Sequence, residues 1–312
     1  MGLNDFSALN ALKPDSLILM PQAKSVTSPV ENTDGKRVPT NVLALTQIPE
    51  AMRRMGWFTS AALMQRWFDS PAWTMDEDWK RGPPDPAALS PAKCDEEIVK
   101  IAWAQKFPRA VEALQKADKV LTTQPSLVQL CKRLRKAGWD GVQRQSIGYA
   151  GMPARLMDSQ AQINIVELGS KLDTLDDMYG ALGIALVKVG VVGEAWLDRV
   201  SQRRYFRMRS SGLYIRDTYD FSGTQFLGIW TEDRVLGKAA QAAVTVGDGG
   251  NPRLTYRLDE PGGTQVWNED FRRYRQRTGR GGDFVLYSDV HWIEHDKVMD
   301  ISAAWDALNV GA

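Results

Sequence analysis

Between residues 48 and 140 the apolar positions recur at helical spacing. Pro49 stands where a first helical turn tolerates a missing N–H, followed by Met52 and Met55; after Gly56, Leu63, Met64, Trp67 and Phe68 share one helical face until Ser70-Pro71 stops the run. This pattern predicts a helical hairpin. A loop containing Gly82-Pro83-Pro84-Asp85-Pro86 separates it from helical patterns at 96–106, 109–119 and 126–137, the last closed by Gly138.

Beyond residue 160 the period shortens to two. Ala185, Val187, Val189 and Val191 alternate against Lys188 and Gly190; Leu213, Ile215, Asp217 and Tyr219 form a second set, Leu254, Tyr256 and Leu258 a third, and Phe284, Leu286, Ser288 and Val290 a fourth. One helix interrupts these strands: Asn268 reads as its N-cap, Glu269 and Asp270 complement its positive end, and Gly279 ends it. The expected fold is α+β, with an N-terminal helical region followed by a mainly antiparallel β-sheet or half-open barrel carrying one inserted Arg-rich helix. The expected organisation is a flexible leader at 1–45, rich in Pro, Ser, Thr and Asn, a helical region at 46–150 and a β-rich domain at 151–312. No repeat of solenoid or propeller period is present.

Composition narrows the function classes. Thirty-nine basic residues against thirty-eight acidic ones leave a net charge of +1. This argues against nucleic acid as a partner through bulk charge. Two cysteines, Cys94 and Cys131, are too few for a disulfide scaffold, and with only His291 and His295 no multi-histidine mechanism is open. The apolar run at 17–20 is too short for a signal peptide, and the apolar stretch at 180–197, broken by Lys188 and Glu194, suits a buried strand better than a membrane span. The expectation is a chain made in the cytoplasm without a signal peptide.

Two clusters carry candidate chemistry. Arg216-Asp217-Thr218-Tyr219-Asp220-Phe221 ends a predicted strand, with Asp217 and Tyr219 on one face and Asp220 turned by the loop. Two carboxylates beside a phenol could hold a divalent cation, Mg or Ca, or supply an acid and a base. Alternatively, Asp220 closes a turn with Gly223 while Tyr219 packs the core. The second cluster runs from Trp267 to Phe284. Its Arg272, Arg275 and Arg280 could grip phosphate through guanidinium forks, or belong to an amphipathic helix with Phe271 and Tyr274 inward. His291 beside Asp289 is a candidate proton-transfer residue, and the order His291-x-x-Glu294-His295 lacks the zincin pattern.

The segments IPEAMRRMGWFTSAALMQRWF (48–68), DTYDFSGTQFLGIW (217–230) and NEDFRRYRQRTGRGGDFVLYSD (268–289) resemble an uncharacterised proteobacterial family whose members are often encoded near type VI secretion components. The Asp217-Thr218-Tyr219-Asp220 run is similar to the Asp-x-Tyr-Asp motif of colicin M-like toxins, which hydrolyse the lipid-linked peptidoglycan precursor. That pattern continues into a His-Arg pair where this chain has Phe226-Leu227.

These resemblances imply an antibacterial effector delivered to the periplasm of a target cell and hydrolysing a phosphodiester or pyrophosphate. Asp217 and Asp220 would serve as metal ligands or base, Arg272, Arg275 and Arg280 would bind a lipid-linked substrate, and Tyr219 and His291 would complete the catalytic set. A non-catalytic adaptor, chaperone or immunity-type protein, bound to a secretion component or a cognate effector through Trp57, Phe58, Trp67 and Phe68, is the alternative. A nuclease toxin is third.

Overall fold

A computed structural model describes residues 43–80, 85–237 and 263–308. The expected leader, apart from residues 43–45, lies outside them, as do Gly82-Pro83-Pro84 and the alternating set at Leu254, Tyr256 and Leu258. Helix α1 (Ile48–Arg54) carries Pro49 in its first turn, and α2 (Phe58–Asp69) ends at Ser70 with Leu63, Met64, Trp67 and Phe68 buried, giving the expected hairpin. A short α3 (Glu77–Lys80) follows.

The stretch 96–106 departs from the expected helix. It follows β1 (Cys94–Asp95) and holds a single turn, α4 (Ile101–Ala104). Asp95 Oδ1 accepts from the N–H groups of Glu97 and Ile98 at 3.1 and 2.8 Å, so a side chain takes donors that would otherwise start a helix. Helices α5 (Pro108–Lys119) and α6 (Gln124–Lys136) match the periodicity, and Gly138 supplies the left-handed φ of 92° after the second.

The chain continues through β2 (Gln145–Ile147), α7 (Ala154–Gln160), β3 (Gln162–Leu168) and α8 (Asp177–Leu182) into the two longest strands, β4 (Ala185–Asp198) and β5 (Arg203–Tyr219). After them come β6 (Phe226–Trp230), β7 (Thr264–Trp267), α9 (Asn268–Thr278), β8 (Phe284–Tyr287), β9 (His291–Asp300) and α10 (Ser302–Ala307). The inserted helix begins one residue before its expected start: Trp267 is the cap, and Asp270 accepts its N–H at 2.9 Å.

Strands β4 and β5 form an antiparallel hairpin paired from Leu186–Arg216 to Asp198–Arg203. On the outer edge of β4, β3 takes the first half and β2 the second; on the outer edge of β5, β9 takes the first half and β8 the second. Strand β1 adds in parallel to β8, and β6 and β7 form a separate ribbon leading into α9. The result is α+β, a helical region and a mixed, mostly antiparallel sheet curled into a half-barrel. Register shifts at Val192/Gly193 and Met208/Ser210 bend the hairpin. One hydrophobic core runs through the described residues, from Ile48 and Trp67 to Val187, Phe206 and Trp305. No helix among them is long and apolar enough to cross a membrane.

A pair of glycines decides where α7 sits. Gly190 and Gly212 face each other across β4 and β5, and a Cβ on either would lie 2.2 or 2.6 Å from the Met157 side chain. The bare backbone there lets α7 descend onto the sheet. Asp158, the next residue along that helix, is thereby brought to the sheet surface.

Candidate functional site

At the end of β5, Asp217 pairs opposite Leu286 and Tyr219 opposite Phe284, so both side chains take the sheet face that packs on α2. Both are buried, at 4% and 8% exposure. The Tyr219 hydroxyl donates to Met64 Sδ at 3.7 Å, and its ring stacks on Phe284 at 5.2 Å. Burial, with the Asp217 charge adding to it, pushes the phenol far above its ordinary range. Asp220 lies in the turn: its Oδ1 accepts from Ser222 N–H at 3.2 Å and Ser222 Oγ at 2.7 Å, with Lys80 Nζ at 3.3 Å. Burial alone would depress the Lys80 ammonium, but Asp220 and Glu77 outweigh it and raise its pKa.

The Arg-rich helix α9 does pack against this strand end. Arg272 Nη1 donates to the carbonyls of Phe221 and Gly223 at 2.8 and 2.5 Å, and the Phe221 and Phe271 rings stack at 3.7 Å. Arg275 turns inward rather than to solvent. Its Nε donates to the Gly281 carbonyl at 2.7 Å and Nη1 to Thr74 Oγ1 at 2.5 Å, while Nη2 meets Asp283 in an ion pair of which both members are nearly buried. Asp283 also accepts from Trp67 Nε1 at 3.0 Å and from Met75 N–H at 2.9 Å. Arg280 is exposed. The three arginines therefore do not share one outward face, because a turn that buries Gly281 against Trp67 needs its carbonyls and Asp283 answered from within.

Two expected outcomes follow from that difference. Arg275→Gln should cost about 2–3 kcal/mol, since it leaves a buried carboxylate short of its charged donor. Arg280→Gln should stay within about 0.5 kcal/mol of the parent, as an exposed substitution away from such features. Thermal or urea melts of the two variants check both values.

The histidines separate as well. The alternating set Phe284, Leu286, Ser288 and Val290 does not form one strand: β8 ends at Tyr287, Ser288 Oγ accepts the Ile215 N–H at 2.8 Å, and the chain turns before β9. Asp289 Oδ1 accepts the Ile101 N–H at 2.6 Å at the head of α4. His291 is exposed on β9, and His295 Nε2 lies 2.9 Å from Ser211 Oγ. No group of three or more His, Cys, Asp or Glu that could hold a metal occurs among the described residues. Cys94 and Cys131 are buried, and burial pushes both thiols up to about 12.

A second constellation lies on the opposite sheet face, beneath α7. Lys188 on β4 stands opposite Tyr214 on β5, and Arg216 on β5 stands opposite Tyr287 on β8. Asp158 hangs over the four from α7. Its Oδ1 accepts from Lys188 Nζ at 2.7 Å and from the Tyr214 hydroxyl at 3.1 Å, and its Oδ2 accepts from the Tyr287 hydroxyl at 2.8 Å. Arg133 on α6 closes the C-terminal end of α7 by donating to the carbonyls of Asp158, Ser159 and Gln162 at 2.8–3.1 Å.

The electrostatics of this cluster are coupled. Burial by itself would lift the Asp158 carboxyl, but Lys188, Arg216 and the hydrogen bonds outweigh it and hold it below its ordinary 3.8. Burial pushes the Lys188 ammonium down although Asp158 pulls it back, and both phenols are raised well above their usual range, chiefly by burial.

A family model matches residues 43–303. The chain belongs to DUF6402, a family of unknown function. No curated protein and no solved structure matches it.

The DUF6402 match takes in the whole sheet, the strand end with α9, and the cluster beneath α7. In this DUF6402 chain the residues of that cluster went unnoticed in the sequence because Lys188 reads as the polar half of an alternating strand and Asp158 as one polar residue of a short helix. The signal that could have revealed them is the glycine at 190 facing the glycine at 212, a bare track that only a closely seated helix requires.

The lowered Asp158 pKa sets a pH dependence. The folded state prefers the ionised carboxylate, so this contribution is complete above the unfolded value near 3.8 and is lost as pH falls through the lowered folded value. Below pH 3.8 the melting temperature of the parent should fall more steeply than that of an Asp158→Asn/Lys188→Met double variant. Parallel acid limbs would contradict the assignment.

Proposed function

We propose that this DUF6402 chain acts by binding, as a non-catalytic adaptor, chaperone or immunity-type protein that holds a secreted effector in a type VI secretion setting. The setting comes from the resemblance carried by the segments at 48–68, 217–230 and 268–289. The observation that carries the choice of binding over hydrolysis is the inward commitment of the Asp-x-Tyr-Asp strand end. Tyr219 donates to a methionine sulfur, Asp220 closes a turn and meets Lys80, Arg272 answers two backbone carbonyls, and Arg275 answers Asp283. These groups support the fold where a colicin M-like hydrolase would present them to a lipid-linked precursor.

The docking face is narrower than the sequence implied. Of Trp57, Phe58, Trp67 and Phe68, only Phe58 is well exposed, at 67%, while Trp67 and Phe68 belong to the core. Expression with and without an export signal tests the reading. Unimpaired growth in both compartments, with stoichiometric co-purification of the product of the neighbouring gene, is the expected result. Periplasm-dependent lysis abolished by Asp217→Asn or Asp220→Asn in folded protein would replace it with the hydrolase, and loss of cellular DNA on cytoplasmic expression with the nuclease.

A further inference from the structure

The cluster beneath α7 holds more donors than acceptors. Two cations, Lys188 and Arg216, stand around one carboxylate, Asp158, whose ion pair is made with Lys188 at 2.7 Å. Arg133, the third cation near them, is already committed to the carbonyls that end α7. Arg216 is 2% exposed, yet among the described residues its guanidinium donates a single hydrogen bond, from Nη2 to the Trp79 carbonyl at 3.1 Å. Its Nε is buried with no hydrogen-bond partner among the described residues. Lys188 Nζ has one acceptor among them, Asp158.

A buried guanidinium whose Nε finds no acceptor among the described residues is a costly arrangement for a core. It contrasts with Arg275, on the other side of the sheet, where each nitrogen of the fork finds an oxygen. We propose that Arg216 and Lys188 form a buried receptor for a small oxyanion, the phosphate or carboxylate group of a small-molecule ligand seated on the α7 face of the sheet. A guanidinium fork offers two parallel N–H donors to such a group, and a lysine adds a point charge. Asp158 then acts as the positioning residue: it holds Lys188, and through Tyr214 and Tyr287 it fixes the floor on which the anion rests.

The purified full chain is titrated with sodium phosphate and, separately, sodium acetate, against sodium chloride at matched ionic strength, by thermal melt and calorimetry. The expected result is a saturable upward shift in melting temperature with one of the two oxyanions and none with chloride; which one saturates distinguishes a phosphate from a carboxylate ligand. Arg216→Met should remove the response, raising the dissociation constant at least tenfold, while melting close to the parent in chloride, because the lost attraction to Asp158 is offset by removal of a buried charge whose Nε has no acceptor among the described residues. A parent that treats phosphate, acetate and chloride alike overturns the proposal. An Arg216→Met protein that melts far below the parent or fails to fold also overturns it, by making the guanidinium a structural partner of Asp158.

Discussion

Replacing Asp158 by alanine is expected to destabilise the protein by about 3–5 kcal/mol, the cost of stranding a buried charge by removing its partner. The variant takes from Lys188 and two tyrosine hydroxyls the acceptor they share, and removes the carboxylate beside Arg216. Lys188→Met alone should cost less, because Asp158 keeps both phenolic donors. The double variant Asp158→Leu/Lys188→Met should recover most of the loss, since apolar replacements of a buried ion pair are often neutral or stabilising. Urea unfolding of the two singles and the double gives the coupling directly. Additive losses would show that the pair is not the unit that fastens α7 to the sheet.

The second large effect is expected at Trp67, where alanine should cost about 3–5 kcal/mol. The indole is fully buried and lies edge-on to Phe68, Phe221 and Phe271 at centroid distances of 5.3, 4.9 and 5.3 Å. It also has two neighbours that depend on it. Its Nε1 donates to Asp283, and Arg275 lies over the ring at 5.2 Å. Gly281, at φ 96°, fits beneath it only because it lacks a Cβ, which would come within 2.4 Å of the ring. Trp67→Phe restores part of the volume but leaves Asp283 one donor short, at about 1–3 kcal/mol. A phenylalanine variant as stable as the parent would show that the hydrogen bond to Asp283 contributes nothing.

Those two sites mark where the sequence was legible. The α2 helix, with Leu63, Met64, Trp67 and Phe68 on one face, could be read because a 3.6-residue period needs only local order, and the β4–β5 pair could be read from a sustained period of two. The segment at 96–106 could not: Asp95 captures backbone donors that periodicity assumes are available to a helix. At the strand end, Asp217, Tyr219 and Asp220 were visible as residue types in a suggestive order, but the packing of α9 against them was not readable from any local pattern. What the chain did with those charges depended on contacts more than two hundred residues apart, such as Trp67 with Asp283 and Arg275 with Thr74. The Asp158 cluster draws on three strands and a helix, and no local window holds more than two of its members.

With the proposed anion site, buried arginines on the two sides of this sheet have different uses: Arg275 is answered by the fold, and Arg216 awaits a ligand. The most direct measurement is the melting temperature of Arg275→Met and Arg216→Met, each in chloride and in the oxyanion that binds the parent. Arg275→Met is expected to melt well below the parent and keep the oxyanion response, whereas Arg216→Met is expected to melt close to the parent in chloride and lose it. Equal destabilisation of the two variants, with the oxyanion response unchanged in both, would contradict that difference.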